Sequence, residues 1–298
     1  MKRTSRAYGI AEGMGRGFLY MFLGLSSLLA LFPLWYELAA SFSSSRAITA
    51  GEVLLWPVEF NLHAYNRLFE DGQILVAMRN TVVITLIGTS LNMLMTILAA
   101  YPLSKRRLMG RSGLLLFITF TMLFVSGIIP SFILVKSLGL MDTYWSLWLP
   151  ALVSTYNLFV MKTFMEGLPE EIEESAAMDG AGDWRILTQV MLPLCKPIIA
   201  SLSLFYAVGW WNSYFQVLLY ITKSSHQSLM VKLYQMINQV DASLLNHAGG
   251  SEGAEQILLT PEGIKAAAII IAVTPILCVY PFLQKHFVKG VLIGSVKG

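Results

Sequence analysis

Apolar residues in this chain fall in long, nearly unbroken runs rather than at a helical or strand period. Six runs are long enough for a bilayer-spanning helix, which needs about 20 predominantly apolar residues. They cover 17–35 (extending to 40), 81–103, 114–135, 144–165, 197–221 and 264–287. Soluble strands are shorter, and each run is flanked by charge or turn residues. Pro130, Pro150 and Pro275 fall inside runs; such prolines are tolerated where neighbouring spans re-satisfy the backbone. The pattern predicts an all-α integral membrane protein with six transmembrane helices. A single domain over 1–298 is expected at this length. Its parts are a first span near 17–40, core spans from 81 to 288 and an inner loop at 166–196.

Composition agrees. Hydrophobic residues make up 55% of the 298 and charged residues only 13%, against about 25% charged in soluble domains. A net charge of +3 is too small to argue for nucleic acid. Cys195 and Cys278 lie far apart, and His63, His226, His247 and His286 are scattered. Neither set has disulfide or metal spacing, so no metal site is expected. The basic start (Lys2, Arg3, Arg6) and the small residues Ala39, Ala40 and Ser41 resemble a signal peptide. The apolar stretch is too long for one, and Glu37 sits near the cleavage position, so an uncleaved anchor is expected.

Basic residues give the orientation. With the N-terminus inside, fourteen Lys and Arg face the cytoplasm and seven face out. That bias predicts N-in and C-in. The cluster Lys105-Arg106-Arg107 against the second span is its strongest element, and its reading is topological.

Two outer connections are long, 41–80 and 222–263. The inner connection 166–196 stands apart, holding Glu166, Glu170, Glu171, Glu173, Glu174, Asp179 and Asp183 among the chain's 18 acids. Anionic lipid would repel such a segment. Pro169 suits a first helical turn, and the glutamates after it suit the positive end of a helix dipole. Gly180 is able to stop that helix in the left-handed conformation, and Asp183 to cap the next. Trp184, Leu187, Val190 and Met191 then form an apolar stripe, which Pro193 and Pro197 end. The prediction is a helix-turn-helix on the inner face, shaped to dock into something outside the chain.

Glu174-Ser175-Ala176, three residues, Gly180, nine residues, Val190, one residue and Leu192-Pro193 resembles the EAA loop of ABC importer permeases at every interval. Ser175 and Val190 depart from the usual Ala and Ile with size or character kept. The string Glu174-Ser175-Ala176-Ala177-Met178-Asp179-Gly180-Ala181 is similar to the carbohydrate-uptake, maltose-importer-like family. The resemblance extends to the Phe…Trp-Asn…Phe signature in Phe205, Trp211, Asn212 and Phe215. The C-terminal stretch 280–298 looks like the subgroup for larger oligosaccharides, to which the second permease subunit of alginate-oligosaccharide importers belongs.

The resemblance implies a partner set: a second, different permease, two ATPase subunits and an extracytoplasmic sugar-binding protein, in a bacterial inner membrane. It implies that Glu174, Ser175, Ala176, Ala177, Met178, Asp179, Gly180, Val190, Leu192 and Pro193 form the ATPase-coupling site. No phosphate-cradling G-x-x-x-x-G-K-[ST] occurs, so no nucleotide site is expected in this chain; ATP and Mg belong to the partners, and the subunit itself is expected to be no enzyme.

Sugars present hydroxyls and apolar ring faces, which amphipathic aromatics suit. Candidates for the substrate pathway are Tyr156, Asn157, Trp210, Trp211, Asn212, Tyr214 and Gln216, with helix packing as the alternative for the tryptophans. Gly249, Gly250, Ser251, Glu252 and Gly253 are expected to contact the binding protein. An ion-coupled transporter usually carries ionisable groups at mid-bilayer, and the centres of these runs lack Asp, Glu, Lys and Arg. A channel without ATPase partners is the other alternative, and leaves the EAA-like loop unexplained.

Overall fold

The computed structural model describes residues 2–70, 72–124, 126–247 and 260–295, with side chains described over 15–70, 72–124, 126–239 and 260–279. Every regular element among the described residues is helical. Two compact units are present, one formed by 1–71 with 236–273 and one by 72–235 with 274–298.

The first unit opens with α1 (Lys2–Ser41), followed by α2 (Ser45–Thr49) and α3 (His63–Phe69). Apolar residues of α1 from Phe18 to Leu31 are exposed on all sides, as a helix surrounded by lipid would be. Only its end is buried, where Ala39 and Ala40 meet Ala47, Val53 and Ala266.

The second unit is built on α4 (Gln73–Ser104), a 32-residue helix. It continues with α5 (Arg111–Leu123), α6 (Ile128–Ser137), α7 (Trp145–Trp148) and α8 (Thr155–Glu166). Then come α9 (Glu170–Met178), α10 (Asp183–Arg185), a π-helical segment Ile186–Met191, α11 (Leu192–Leu194), α12 (Lys196–Trp211) and α13 (Phe215–Tyr220). The long helices α14 (Leu229–His247) and α15 (Pro261–Ser295) are each divided between the two units along the chain. Helix α4 packs on both α8 and α12, and one apolar cluster joins Met93, Ala100, Leu158, Met161, Ile186, Met191 and Leu202.

Among the described residues, three helical stretches are long and apolar enough to cross a membrane: Gly15–Ser41, Gln73–Ser104 and Pro261–Val279. Two bent pairs raise the number to five if each is one crossing: α5 with α6, at 110°, and the Asp183–Leu194 segment with α12, at 81°.

The bends correct the expected continuous spans. In the third, the break precedes Pro130 rather than falling at it: α5 ends at Leu123, Gly127 takes φ +78°, and Pro130 lies in the first turn of α6. The fourth expected span is two helices of 4 and 12 residues flanking Pro150. The fifth ends its main helix at Trp211 and restarts at Phe215. The long connection 222–263 carries α14.

A bilayer supplies no water to free backbone groups, so each break needs a donor or acceptor from elsewhere. For the break between α7 and α8 that source is α4. The buried Asn92 amide donates to Ala151 O at 2.5 Å and Leu152 O at 2.9 Å. Its oxygen accepts from Trp210 Nε1 at 2.6 Å. One turn along, Tyr206 Oη accepts the Ser154 N–H at 3.2 Å and shares a hydrogen bond with Thr96 Oγ1 at 2.8 Å. Trp148 Nε1 adds a bond to Ile84 O at 3.2 Å. Indole and helix come close at Gly88, where a Cβ would lie 2.6 Å from Trp210 Nε1.

Candidate functional site

The acidic connection folds as a helical hairpin. Pro169 is the residue before α9 rather than its first, and Glu170, Glu171 and Glu173 occupy the first turn, where the helix dipole favours negative charge. Gly180 ends α9 at φ +79°. The Ala181 N–H bonds to Ala176 O and the Gly180 N–H to Ala177 O, both at 3.0 Å. This is the double-bonded C-terminal cap that needs a residue with no Cβ penalty at the left-handed position. Ala176 and Ala181 both lean on the buried cluster, so the turn is fixed to the bundle by its small residues.

The return limb departs from the expected stripe. Gly182, not Asp183, is the N-cap, and Asp183 pairs with Arg107 at 2.8 Å. Ile186, Leu187 and Met191 are buried and Val190 half-buried, but Trp184 is exposed. The π segment over Ile186–Met191 breaks the 3.6-residue period on which the stripe rested. Pro193 lies in α11, and the chain then turns at Cys195 into α12.

Glu174, Ser175, Ala177, Met178, Asp179 and Pro193 are exposed, while Ala176 and Leu192 are half-buried. The Ser175 hydroxyl donates to Glu171 O at 2.7 Å, satisfied within its own helix. Glu174 and Met178 on α9 are therefore open to solvent.

A basic corner, residues 105–111 between α4 and α5, faces the hairpin. Lys105 pairs with Glu173, and Arg111 with Glu166, which also takes Lys162 at 2.9 Å. Lys105 Nζ lies 4.7 Å from the centroid of the Tyr101 ring. Corner and hairpin enclose a pocket of about 870 Å³ that includes Lys105, Arg111, Glu170, Glu174 and Gly182. A more apolar pocket of about 650 Å³, with Leu98, Pro102, Met109 and Trp184, opens beside it.

The candidate pathway residues divide. Trp210 and Trp211 are buried, and Trp210 Nε1 bonds to Asn92 and lies close against Gly88. Asn157 is buried near the start of α8. Asn212 is exposed, with its amide donating to Val208 O at 3.0 Å. Tyr156 and Gln216 are exposed, and Tyr214 packs tilted against Tyr234 at 4.9 Å between centroids. Gly249–Gly253 and the C-terminal signature at 280–298 lie outside the residues whose side chains are described.

A family of binding-protein-dependent transport system inner membrane components matches residues 92–293, which take in the whole hairpin and its supporting helices. The chain belongs to that family. It is a permease component of an ABC importer, held in the inner membrane. The permease is 42% identical to the protein LplC of Bacillus subtilis, over 93% of each chain. It is 41% identical to the polygalacturonan/rhamnogalacturonan transport system permease protein YtcP of the same organism, over 94% of this chain and 97% of the relative. Its fold matches a chain in the crystal structure of a bacterial ABC transporter that imports the acidic polysaccharide alginate. There the TM-score is 0.80 with 31% identity, over 96% of this chain and 98% of the other.

Sequence reasoning missed the ion pairs of the corner, whose cations it read as topological, and the role of Asn92. A lone polar residue amid an apolar run was the available signal for Asn92, since a buried amide must find partners.

Proposed function

We propose that this permease carries acidic oligosaccharides across the inner membrane by alternating access, and that α9 and its turn are the lever gripped by separate ATPase chains. The observation that carries the reading is the cap at Gly180. It ends α9 in a fixed turn whose small residues pack on the bundle and leaves Glu174 and Met178 exposed, Glu174 at the rim of the pocket beside the basic corner. The substrate class is supported by the relatives, since YtcP is named for polygalacturonan and rhamnogalacturonan and the solved transporter for alginate.

Reading α7, the turn at Pro150 and α8 as one broken crossing gives six spans within a single permease domain, and the basic residues then favour N-in and C-in. The exposed apolar surfaces of α5 and α6 suit a second, different permease. An extracytoplasmic binding protein delivers the solute, with 249–253 among its contacts. Asn157, Asn212, Tyr156, Tyr214, Gln216 and one of the adjacent pair Trp210 and Trp211 are the pathway residues proposed. ATP and Mg belong to the ATPases, and this chain supplies none of that chemistry. ATP binding moves the lever because the closed and open ATPase pairs hold it differently, and only differential affinity shifts an equilibrium.

The test is uptake into proteoliposomes of the assembled complex. Glu174→Lys is expected to release the ATPases and to abolish ATP-driven uptake of an oligogalacturonate or oligoalginate. Uptake that continues without ATP would overturn the reading.

A further inference from the structure

We infer that the basic corner 105–111 is an ionic clamp, and that it fixes the hairpin to α4 and α5 so that corner and hairpin move as one body. The inference rests on the lever reading of the hairpin, and it assigns Lys105, Arg111, Glu166 and Glu173 as positioning residues.

Helix electrostatics first shows which charges need a tertiary explanation. Glu173 lies in the first turn of α9 and suits its dipole. Glu166 is the last residue of α8, where the dipole disfavours an acid. Two cations from different elements answer it, Arg111 from the start of α5 and Lys162 from its own helix. Arg111 is also misplaced for its own helix, a cation at an N-terminus. Its Nε donates to Leu103 O at 2.8 Å, one of the carbonyls left over at the end of α4. A single guanidinium therefore ties α4, α5 and α8 together. Lys105 is the C-cap of α4 and reaches α9 through Glu173.

Burial then ranks the pairs. Lys105 and Glu173 are 16% and 19% exposed, and Arg111 and Glu166 are 24% and 27%. Such pairs are screened far less by salt than surface ones. Arg107 and Asp183 are each 72% exposed, which leaves their bond weak.

Packing shows why a clamp is needed. The principal packing partner of α9 is the π segment of its own hairpin, an irregular turn that is itself followed by the 81° bend into α12. Besides the ion pairs, α9 is joined to the bundle through the small contacts of Ala176 and Ala181, that bend and the short link from α8; these hold the turn, while the first turn of α9 is tied through Glu173 to Lys105. Through that pair, a push on α9 is delivered to the end of α4, the helix on which α8 and α12 pack.

The experiment uses the assembled transporter with Cys195→Ala and Cys278→Ser, spin-labelled at Glu171→Cys on α9 and Met109→Cys on the corner. Both label positions are exposed. Lys105→Glu alone and Glu173→Lys alone are expected to broaden the label distance distribution. They should also lower ATP-driven uptake about tenfold while the ATPases still co-purify and hydrolyse ATP. The charge-swapped double variant is expected to restore both readouts, which a merely lost side chain would not do. The inference is overturned if either single variant keeps a narrow distribution, or if the swap leaves it broad. ATP-independent uptake with distances that follow the charges would instead sink the importer reading and leave the clamp standing.

Discussion

The permease closes two irregular backbones in opposite ways. At the hairpin end, the turn at Gly180 is held beside charged pairs: Lys105 with Glu173, and Arg111 and Lys162 with Glu166. In the interior, the break between α7 and α8 is held by neutral groups, the Asn92 amide, the Tyr206 hydroxyl and the Trp210 and Trp148 indoles. The difference follows from solvent. Charges that keep some exposure avoid most of the desolvation cost of a fully buried pair, and their strength remains adjustable. An amide has no net charge to desolvate, so it is able to bridge carbonyls in a dry interior. The hairpin is therefore tied to its neighbouring helices by ions, and the break between α7 and α8 by hydrogen bonds between neutral groups.

The largest test breaks the interior half. Asn92→Leu fills similar space but strands Ala151 O, Leu152 O and Trp210 Nε1. Each unmade buried bond costs about 1–3 kcal/mol, so a loss of about 3 kcal/mol is expected in reversible unfolding from mixed micelles. A change near zero would mean that the break finds other donors.

Gly88→Ala probes the same site by volume. The new Cβ would lie 2.6 Å from Trp210 Nε1 and 2.7 Å from Cε2, against an indole already held by Asn92. Overpacking of this kind costs about 1–3 kcal/mol. Adding Trp210→Phe, which shortens the ring system, should recover part of it. A Gly88→Ala variant as stable as the parent would show that helix and indole separate freely.

Asp142 offers a third arrangement, a single carboxylate accepting from neutral donors. It takes the N–H groups of Lys223 at 2.9 Å and Thr222 at 2.6 Å and the Thr222 hydroxyl. The Lys223 N–H first, then the Thr222 side chain, hold its carboxyl below the usual range. The unfolded chain then binds a proton more readily than the folded one. The stability this clasp adds is fully present above the ordinary carboxylate range and is lost as pH falls through the folded value. The protection of the Thr222 and Lys223 amides, measured against their intrinsic exchange rates, should fall at acid pH in the parent and be low at every pH in Asp142→Asn. Equal protection in the two proteins near neutrality would remove the clasp.

How much of this was legible depends on the distance between cause and effect along the chain. The hairpin was readable because its signals are local: proline, acids, small residues and a glycine at fixed spacing. The long helices α1, α4 and α15 were readable as apolar runs. The breaks near 125, 150 and 213 were not, since an apolar window sees the run and not the donor that lets it stop. The donors for Ala151 and Leu152 sit on Asn92, 59 and 60 residues away. Trp184 was misplaced because the period changes inside the π segment that follows it. The corner cations were counted correctly as a cluster, but their acidic partners come from segments 55 to 76 residues later.

The smallest expected effect sharpens the comparison at its ionic end. Arg107→Ala removes a bond of 2.8 Å whose geometry is good, yet both partners are 72% exposed. Water already solvates each charge, so holding two long side chains together gains little, and about 0.5 kcal/mol is the most to expect. At about 0.15 M salt the Debye length is near 8 Å, and the remaining attraction should fade further as salt rises. Uptake and stability of Arg107→Ala should therefore match the parent in both low and high salt. Lys105→Met, which removes a pair of far lower exposure, should differ from the parent in both. If the two variants lost the same amount, exposure would not rank these pairs, and solvent would not be what separates the ionic end of the permease from its neutral interior.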